Sequence, residues 1–237
     1  AMSTTIPYLL HQTVADPAAV PPKVARNLRR HAGRYARQVY SDQDCEKFLR
    51  QHFPEYVSAF RRLRGAHKAD LFRYAVLYVR GGVYMDIKLE LVRPLEEIID
   101  MKRRAIYTSL SGNPHPPPAY ARAMYQSLIA APPRQPLFLR LMEFVVAHVE
   151  QARAPEHYLL FTSDMYQKIL DDTHASELHQ GEHTSRRDPS LTYVLLQEVC
   201  TRRAADCPQG LDRYGLCCQV RAYGETQYMS RYVDYPW

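Results

Sequence analysis

Tryptophan occurs once in these 237 residues and glycine only nine times. So few glycines leave few places for a left-handed or closely approached backbone, and the adjacent pair Gly81-Gly82 stands out. No apolar run nears the ~20 residues of a membrane span, and no secretory leader is visible. The Gly-x-x-x-x-Gly-Lys loop is missing, which excludes P-loop phosphoryl transfer. Cysteine is scarce and odd in number, five in all. Cys45, Cys200 and Cys207 are scattered, Cys217 and Cys218 are adjacent, and no C-x-x-C spacing suggests a zinc site. The simplest reading is reduced thiols in a cytoplasmic protein. Internal repeats are absent as well, which excludes a solenoid.

What is present points to one globular unit spanning residues 1–237. Hydrophobic residues make up 46% of the chain, enough for a sizeable core, and charged residues 24%. Ala1 precedes Met2, so Met2 reads as the natural start. The first strand then follows almost at once and leaves no room for an N-terminal anchor, so the expectation is a cytoplasmic enzyme. The net charge is +6, with clusters at Arg29-Arg30, Arg61-Arg62-Arg64, Lys102-Arg103-Arg104 and Arg186-Arg187. These are dispersed, accompanied by acids and outside any nucleic-acid motif, so they predict no nucleic-acid partner. Positive potential also suits a ligand with two phosphates, and eighteen tyrosines supply faces for bases and sugar rings.

Strands alternate with helices through residue 110, which predicts an α/β fold with a mixed, mainly parallel sheet flanked by helices. Lys23–His31 reads as a short helix and Tyr35–Tyr40 as a strand. Ser41 caps a helix to about Gln51, and Pro54 opens another to about Arg64. Ala105–Leu110 is a strand, and the proline-rich 111–118 a loop. Pro136 opens an amphipathic helix to about Ala152. The stretch from Asp171 to Asp188 holds His174, His179 and His183 and reads as a mobile, solvated loop rather than a metal site. Asp188-Pro189 has the form of a helix start, Leu216–Val220 that of a late strand, and the tail from Tyr228 to Trp237 is aromatic and basic.

The most informative stretch is Ala69–Glu90, ADLFRYAVLYVRGGVYMDIKLE. Ala69, Phe72, Val76 and Val79 form the buried stripe of a helix over about 66–80. Asp70 and Arg73, at i and i+3, share a stripe with His67 and Leu77. In isolation such a pair is most simply a weak surface ion pair. Gly81-Gly82 ends the helix, and a period-2 strand over 83–91 follows. Val83, Met85, Ile87, Leu89 and Leu91 face one way, and Tyr84, Asp86, Lys88 and Glu90 the other. Two polar constellations thus converge on one helix-strand unit, at a strand end where α/β folds place their sites.

The pattern A-D-x-x-R-Y-x-x-L-Y-x-x-G-G-V-Y-x-D resembles the sugar-nucleotide-binding core of Asp-x-Asp glycosyltransferases of GT-A type. These include yeast Golgi mannosyltransferases, the glucosylating clostridial toxins and, in size, algal-virus glycosyltransferases. Ile6-Pro7-Tyr8-Leu9-Leu10-His11-Gln12-Thr13 resembles the family's opening strand, Pro94-Leu95 the close of the motif strand, and IAAPPRQPL over 129–137 the segment after the next strand. The resemblance covers about residues 6–140 and implies a Rossmann-like mixed sheet. It also implies transfer of a hexosyl or deoxyhexosyl group from a nucleotide-sugar, a UDP-sugar above all, to a glycan or glycoprotein hydroxyl.

By the same resemblance Asp70 and Arg73 would hold donor-sugar hydroxyls and Tyr84 would lie against the nucleoside; the backbone around His11, Gln12 and Thr13, at the end of the first strand, would border it. Asp86 would serve Mn²⁺ or Mg²⁺ on the diphosphate. The motif departs from the family at its second acid: here it is Asp86-Ile87-Lys88. Lys88 either contacts phosphate itself and stabilises the leaving group, or leaves the metal to Asp86, diphosphate, water and another ligand. A third reading is a degenerate nucleotide-sugar-binding module. No histidine follows His183, so a histidine metal ligand in a C-terminal segment cannot be carried over, and no catalytic base can be named.

Overall fold

The computed structural model describes residues 5–113, 116–151, 159–207, 210–212 and 215–231. The chain forms β1 (Leu9–Thr13), α1 (Pro22–His31), β2 (Ala36–Tyr40), α2 (Asp42–His52), α3 (Val57–Arg62) and α4 (Ala66–Arg80). It continues through β3 (Gly82–Met85), β4 (Glu90–Leu91), α5 (Leu95–Ile98), β5 (Ala105–Leu110), β6 (Met124–Ala131), α6 (Pro136–Glu150) and α7 (Leu160–Asp171). β7 (Gly181–Thr184), β8 (Thr192–Thr201), β9 (Cys217–Ala222) and β10 (Glu225–Met229) complete it. Among the described residues no helix is long and apolar enough to cross a membrane.

All ten strands join one sheet in the order β2-β1-β3-β6-β5-β8-β9-β10-β4, with β7 paired to β8. The sheet is mixed, as expected, but not mainly parallel. Parallel pairing is confined to β1 with β2 and β3 and to β5 with β8; β3 and β5 both run against β6, and the C-terminal strands form antiparallel hairpins. The βα alternation that predicts parallel neighbours ceases after β5, and two-strand hairpins need no crossover.

The sheet also cannot be flat. β3 and β4 lie six strand steps apart in the order, roughly 29 Å at ~4.8 Å per step. The five residues from Met85 to Glu90 reach at most ~17 Å. The sheet therefore curls, and the turn carrying Asp86 and Lys88 bridges its two ends.

Apolar residues pack on both faces. One cluster joins α2, α3, α4, α6 and α7 to Tyr84, Ile106, Ile129 and Tyr193. The other gathers α1 and α5 with Val83, Met85, Ile87, Leu89 and Leu91. That second set is the apolar face read from the alternation, although the strand itself breaks after Met85. Residues 86–89 form a turn, in which the Leu89 amide donates to the Asp86 carbonyl at 3.1 Å. The alternation outlives the strand because both ends of the turn stay buried on the same side.

Several elements match their expected bounds, α2 among them. Its Ser41 side chain accepts from the Asp44 amide while Asp44 accepts from the Ser41 amide, a reciprocal cap. Three further expectations do not hold. Asp188-Pro189 starts no helix but belongs to the turn into β8, where Thr192, Tyr193 and Val194 favour a strand. The 171–188 stretch is no open loop: it contains β7, on which His183 is buried and its Nε2–H donates to the His179 carbonyl at 2.8 Å. Four of the five cysteines are not reduced thiols but form the disulfides Cys200–Cys218 and Cys207–Cys217, leaving Cys45 free and buried. Pairing of β8 with β9 sets Cys200 opposite Cys218, a neighbourhood that sequence spacing does not display. The tail beyond Arg231 and residues 114–115 of the proline-rich segment lie outside the described residues.

Candidate active site

The unit α4-β3 depends on its two glycines. Gly81 and Gly82 have φ of +64° and +94°, where a side chain is strained. A Cβ on Gly81 would lie 2.6 Å from the Pro133 nitrogen, and one on Gly82 2.7 Å from the Leu9 carbonyl oxygen. The chain thus reverses within two residues and slots β3 between β1 and β6. The first half of α4 then lies over the C-terminal end of β3, where the chain leaves through Asp86.

Asp70 and Arg73 are both buried, with side chains 6% exposed, so the weak surface pair is excluded. Arg73 Nη2 lies 3.3 Å from Asp70 Oδ1 and 3.5 Å from Asp86 Oδ1. Nη1 donates to the Gln126 carbonyl at 2.7 Å and Nε to that of Ala69 at 3.2 Å, and the guanidinium carbon sits 4.7 Å from the centre of the Tyr84 ring. Burial works against the charge of Arg73, but Tyr84, Asp70 and Asp86 outweigh it and raise the pKa above the ordinary value. His67 Nδ1 stands 3.3 Å from Asp70 Oδ2, and Lys88 Nζ stands 3.5 Å from Asp86 Oδ2. Asp70, Arg73, Asp86 and Lys88 line one cavity of about 310 Å³, with Tyr125, Gln126, Ser127 and Glu198 on its other walls.

The remaining sequence-predicted residues form the frame beneath. Tyr84 is fully buried under Arg73, and its hydroxyl lies 2.8 Å from Thr13 Oγ1. His11 and Gln12 are fully buried. His11 Nε2–H donates to the Gly81 carbonyl at 3.0 Å, which leaves Nδ1 as an acceptor 3.2 Å from the Tyr40 hydroxyl. Burial pushes the His11 pKa down to about 4, so the ring is neutral and locks β1 to the glycine turn. Gln12 Oε1 accepts from Arg37 Nε at 2.8 Å across β1 and β2.

Sequence reading missed Glu198. It is buried on β8, its Oε2 accepts from the Gly112 amide at 3.0 Å, and its Oε1 from Ser230 Oγ at 2.9 Å. Burial pushes its carboxyl above the ordinary range, against the pull of those two hydrogen bonds and of the Lys88 charge. Gly112 is required for this approach, because a Cβ there would fall 2.2 Å from the Glu198 carbonyl oxygen. The available signal was a lone acid within the apolar run of TYVLLQEVC.

Asp86 does not by itself make a divalent-ion site. Each of its oxygens faces a cation, Arg73 at 3.5 Å or Lys88 at 3.5 Å, and Lys88 takes the place of the second acid. A hard divalent ion wants several oxygens and little competing positive charge. Glu198, Cys200 and Cys218 bring three ligand atoms within 4.8 Å of one another, but the two sulfurs are spent on their disulfide.

Residues 25–105 match the family model described as glycosyltransferase sugar-binding region containing DXD motif. The resemblance to the Asp-x-Asp glycosyltransferases holds. The initiation-specific alpha-1,6-mannosyltransferase of Candida albicans is 36% identical over 69 residues, 27% of this chain and 18% of that protein. The chain therefore matches less than a fifth of this relative's length. Among solved structures, the PaToxG glycosyltransferase is 16% identical, with a TM-score of 0.44 over 70% of this chain and 71% of that one. Asp70, Arg73, Tyr84 and Asp86 all lie inside the family match, whereas Glu198 lies outside it.

Proposed function

We propose that this chain moves a hexosyl or deoxyhexosyl group from a nucleotide-sugar, with a UDP-sugar as the first candidate, to a hydroxyl of a glycan or glycoprotein. The observation that carries the reading is the convergence of Asp70, Arg73, Asp86 and Lys88 on one cavity, within a segment that matches a sugar-binding family. Glycosyl transfer needs the sugar held, the growing charge on the leaving diphosphate neutralised, and the acceptor hydroxyl placed. Asp70 offers carboxylate oxygens to sugar hydroxyls while Arg73 holds it in place. Lys88, partly exposed, supplies the positive charge on the phosphate side. The resemblance implies Mn²⁺ or Mg²⁺ at Asp86, but each of the Asp86 oxygens already faces a cation. No step of this proposal runs through a metal, since the motif's donor set does not fit one.

Nucleoside diphosphates and nucleotide-sugars, titrated with and without Mn²⁺ and followed by release of the free nucleotide, test the reading. Asp86→Ala should abolish turnover. Because the buried Arg73 loses a partner, it should also cost about 1 kcal/mol of stability. Normal turnover in that variant would place the site elsewhere. The substitution at Lys88 also favours a second reading, a binding module that has lost activity. Lys88→Asp separates the two: a catalyst built on the lysine loses at least about 100-fold, roughly 2.7 kcal/mol of transition-state stabilisation, whereas a degenerate module gains Mn²⁺-dependent turnover. As to location, the two disulfides support an oxidising compartment rather than the cytoplasm.

A further inference from the structure

A second cavity of about 180 Å³ adjoins the first. The two share Lys88, Tyr125, Glu198, Leu216 and Cys218. Asp70, Arg73 and Asp86 line only the larger one, and Asp212, Met229 and Arg231 only the smaller. The curl of the sheet produces this arrangement: the motif turn comes from one end and β8, β9 and β10 from the other. Lys88 and Glu198, one cation and one buried carboxylate, mark the junction.

We infer that the smaller cavity is the acceptor subsite, taking a sugar hydroxyl or another alcohol, and that Glu198 is the base that receives the hydroxyl proton. The inference rests on the glycosyl-transfer reading and extends it to the acceptor side. In the step, the acceptor O–H bond breaks and its proton passes to the Glu198 carboxylate. The acceptor oxygen bonds to the anomeric carbon, and the bond from that carbon to the diphosphate oxygen breaks, its electron pair leaving with the nucleoside diphosphate beside Lys88. A base at a cavity junction serves both partners without being covered by either. The Gly112 amide and the Ser230 hydroxyl fix the carboxylate, and Tyr125, whose hydroxyl donates to the Ser230 carbonyl at 3.0 Å, braces that contact. The volume and the mixture of Tyr125, Leu216 and Met229 with charged groups suit one sugar ring, which presents an apolar face and polar edges.

Hydrolysis of UDP- and GDP-hexoses, with water as the acceptor, tests this without a known acceptor. Glu198→Gln keeps the shape and should lower nucleotide release by about 100-fold or more, as loss of a general base does, with UDP affinity by calorimetry within about threefold, under 1 kcal/mol. Azide needs no deprotonation, so added to Glu198→Ala it should restore nucleotide release and yield the glycosyl azide. The wild-type rate should fall with decreasing pH through an ionisation above the ordinary carboxylate range. The groups facing that carboxylate are Lys88 from the motif turn, Tyr125 from β6, Tyr228 from β10, Ser230 just beyond it, and Asp212 and Arg231 across the smaller cavity. If Glu198→Gln does not fold, the wild-type pH profile decides, and a profile without that acid limb overturns the inference. It is also overturned if the variant keeps its rate, if rate and UDP affinity fall together, or if azide restores nothing. No nucleotide release by the wild-type protein from any donor would instead remove the glycosyl-transfer reading itself, and this inference with it.

Discussion

At the scale of single residues, the site is a row of polar groups centred on the buried Asp70–Arg73 pair, each facing the next. His67 faces Asp70, Asp70 faces Arg73, Arg73 faces Asp86 and Asp86 faces Lys88. The sequence showed these residue types at informative spacings. It did not show that Arg73 would be engaged with the Gln126 carbonyl and the Tyr84 ring, because those partners lie on β6 and β3. His11 is the opposite case. The sequence reading concerns the backbone of its strand, whereas its buried side chain is a neutral strut. Its depressed pKa gives a pH signature. Above about 6.5 the ring is neutral whether folded or unfolded; as pH falls towards about 4 the unfolded chain takes up the proton before the folded one does. Stability is therefore lost across that window, by about 3 kcal/mol. Thermal melts from pH 7 to 4 should show the loss, and His11→Gln, which keeps a donor for the Gly81 carbonyl, should flatten it. A wild-type melting temperature that holds steady down to pH 4 would remove this account.

At the scale of elements, legibility followed locality. α2, α4, β5 and α6 announced themselves through caps, prolines and periodicity, all signals within one segment. The strand over 83–91 was half right: its facing held, but it breaks at Asp86 because the chain must cross to β4. The Asp188-Pro189 helix failed because a start signal had no helix-favouring run behind it. The disulfides were illegible because Cys200–Cys218 reports the pairing of β8 with β9 and Cys207–Cys217 ties the segment after β8 to the start of β9. They also make that hairpin testable. Mass measured before and after full reduction should differ by four hydrogens, two for each of two bridges. Replacing Cys200 and Cys218 with serine removes a closure between residues 18 apart, worth about 3 kcal/mol by the loop-entropy estimate. Unchanged mass on reduction would return the cysteines to the thiol state first read from the sequence.

At the scale of the whole molecule, the sheet's curl is what gives the segment that matches the glycosyltransferase family model its two adjoining cavities. The family match ends at residue 105, and everything that closes the cavity from the other side comes later in the chain. β10 runs against β4, Tyr228 opposite Leu91, and Ser230 reaches Glu198. The β10–β4 pairing is among the longest-range in the sequence, and long loops must be closed before such contacts repay the entropy. The order of assembly follows. On the proposed reading, a refolding chain can build α4 and its contacts early, and with them the donor side, while the proposed acceptor side is still open. Recovery of UDP binding during refolding should precede recovery of turnover, with turnover tracking the slowest spectroscopic phase; simultaneous recovery of both would contradict this. Until its last described strand has docked, the protein would hold a donor it has no means of spending on an acceptor.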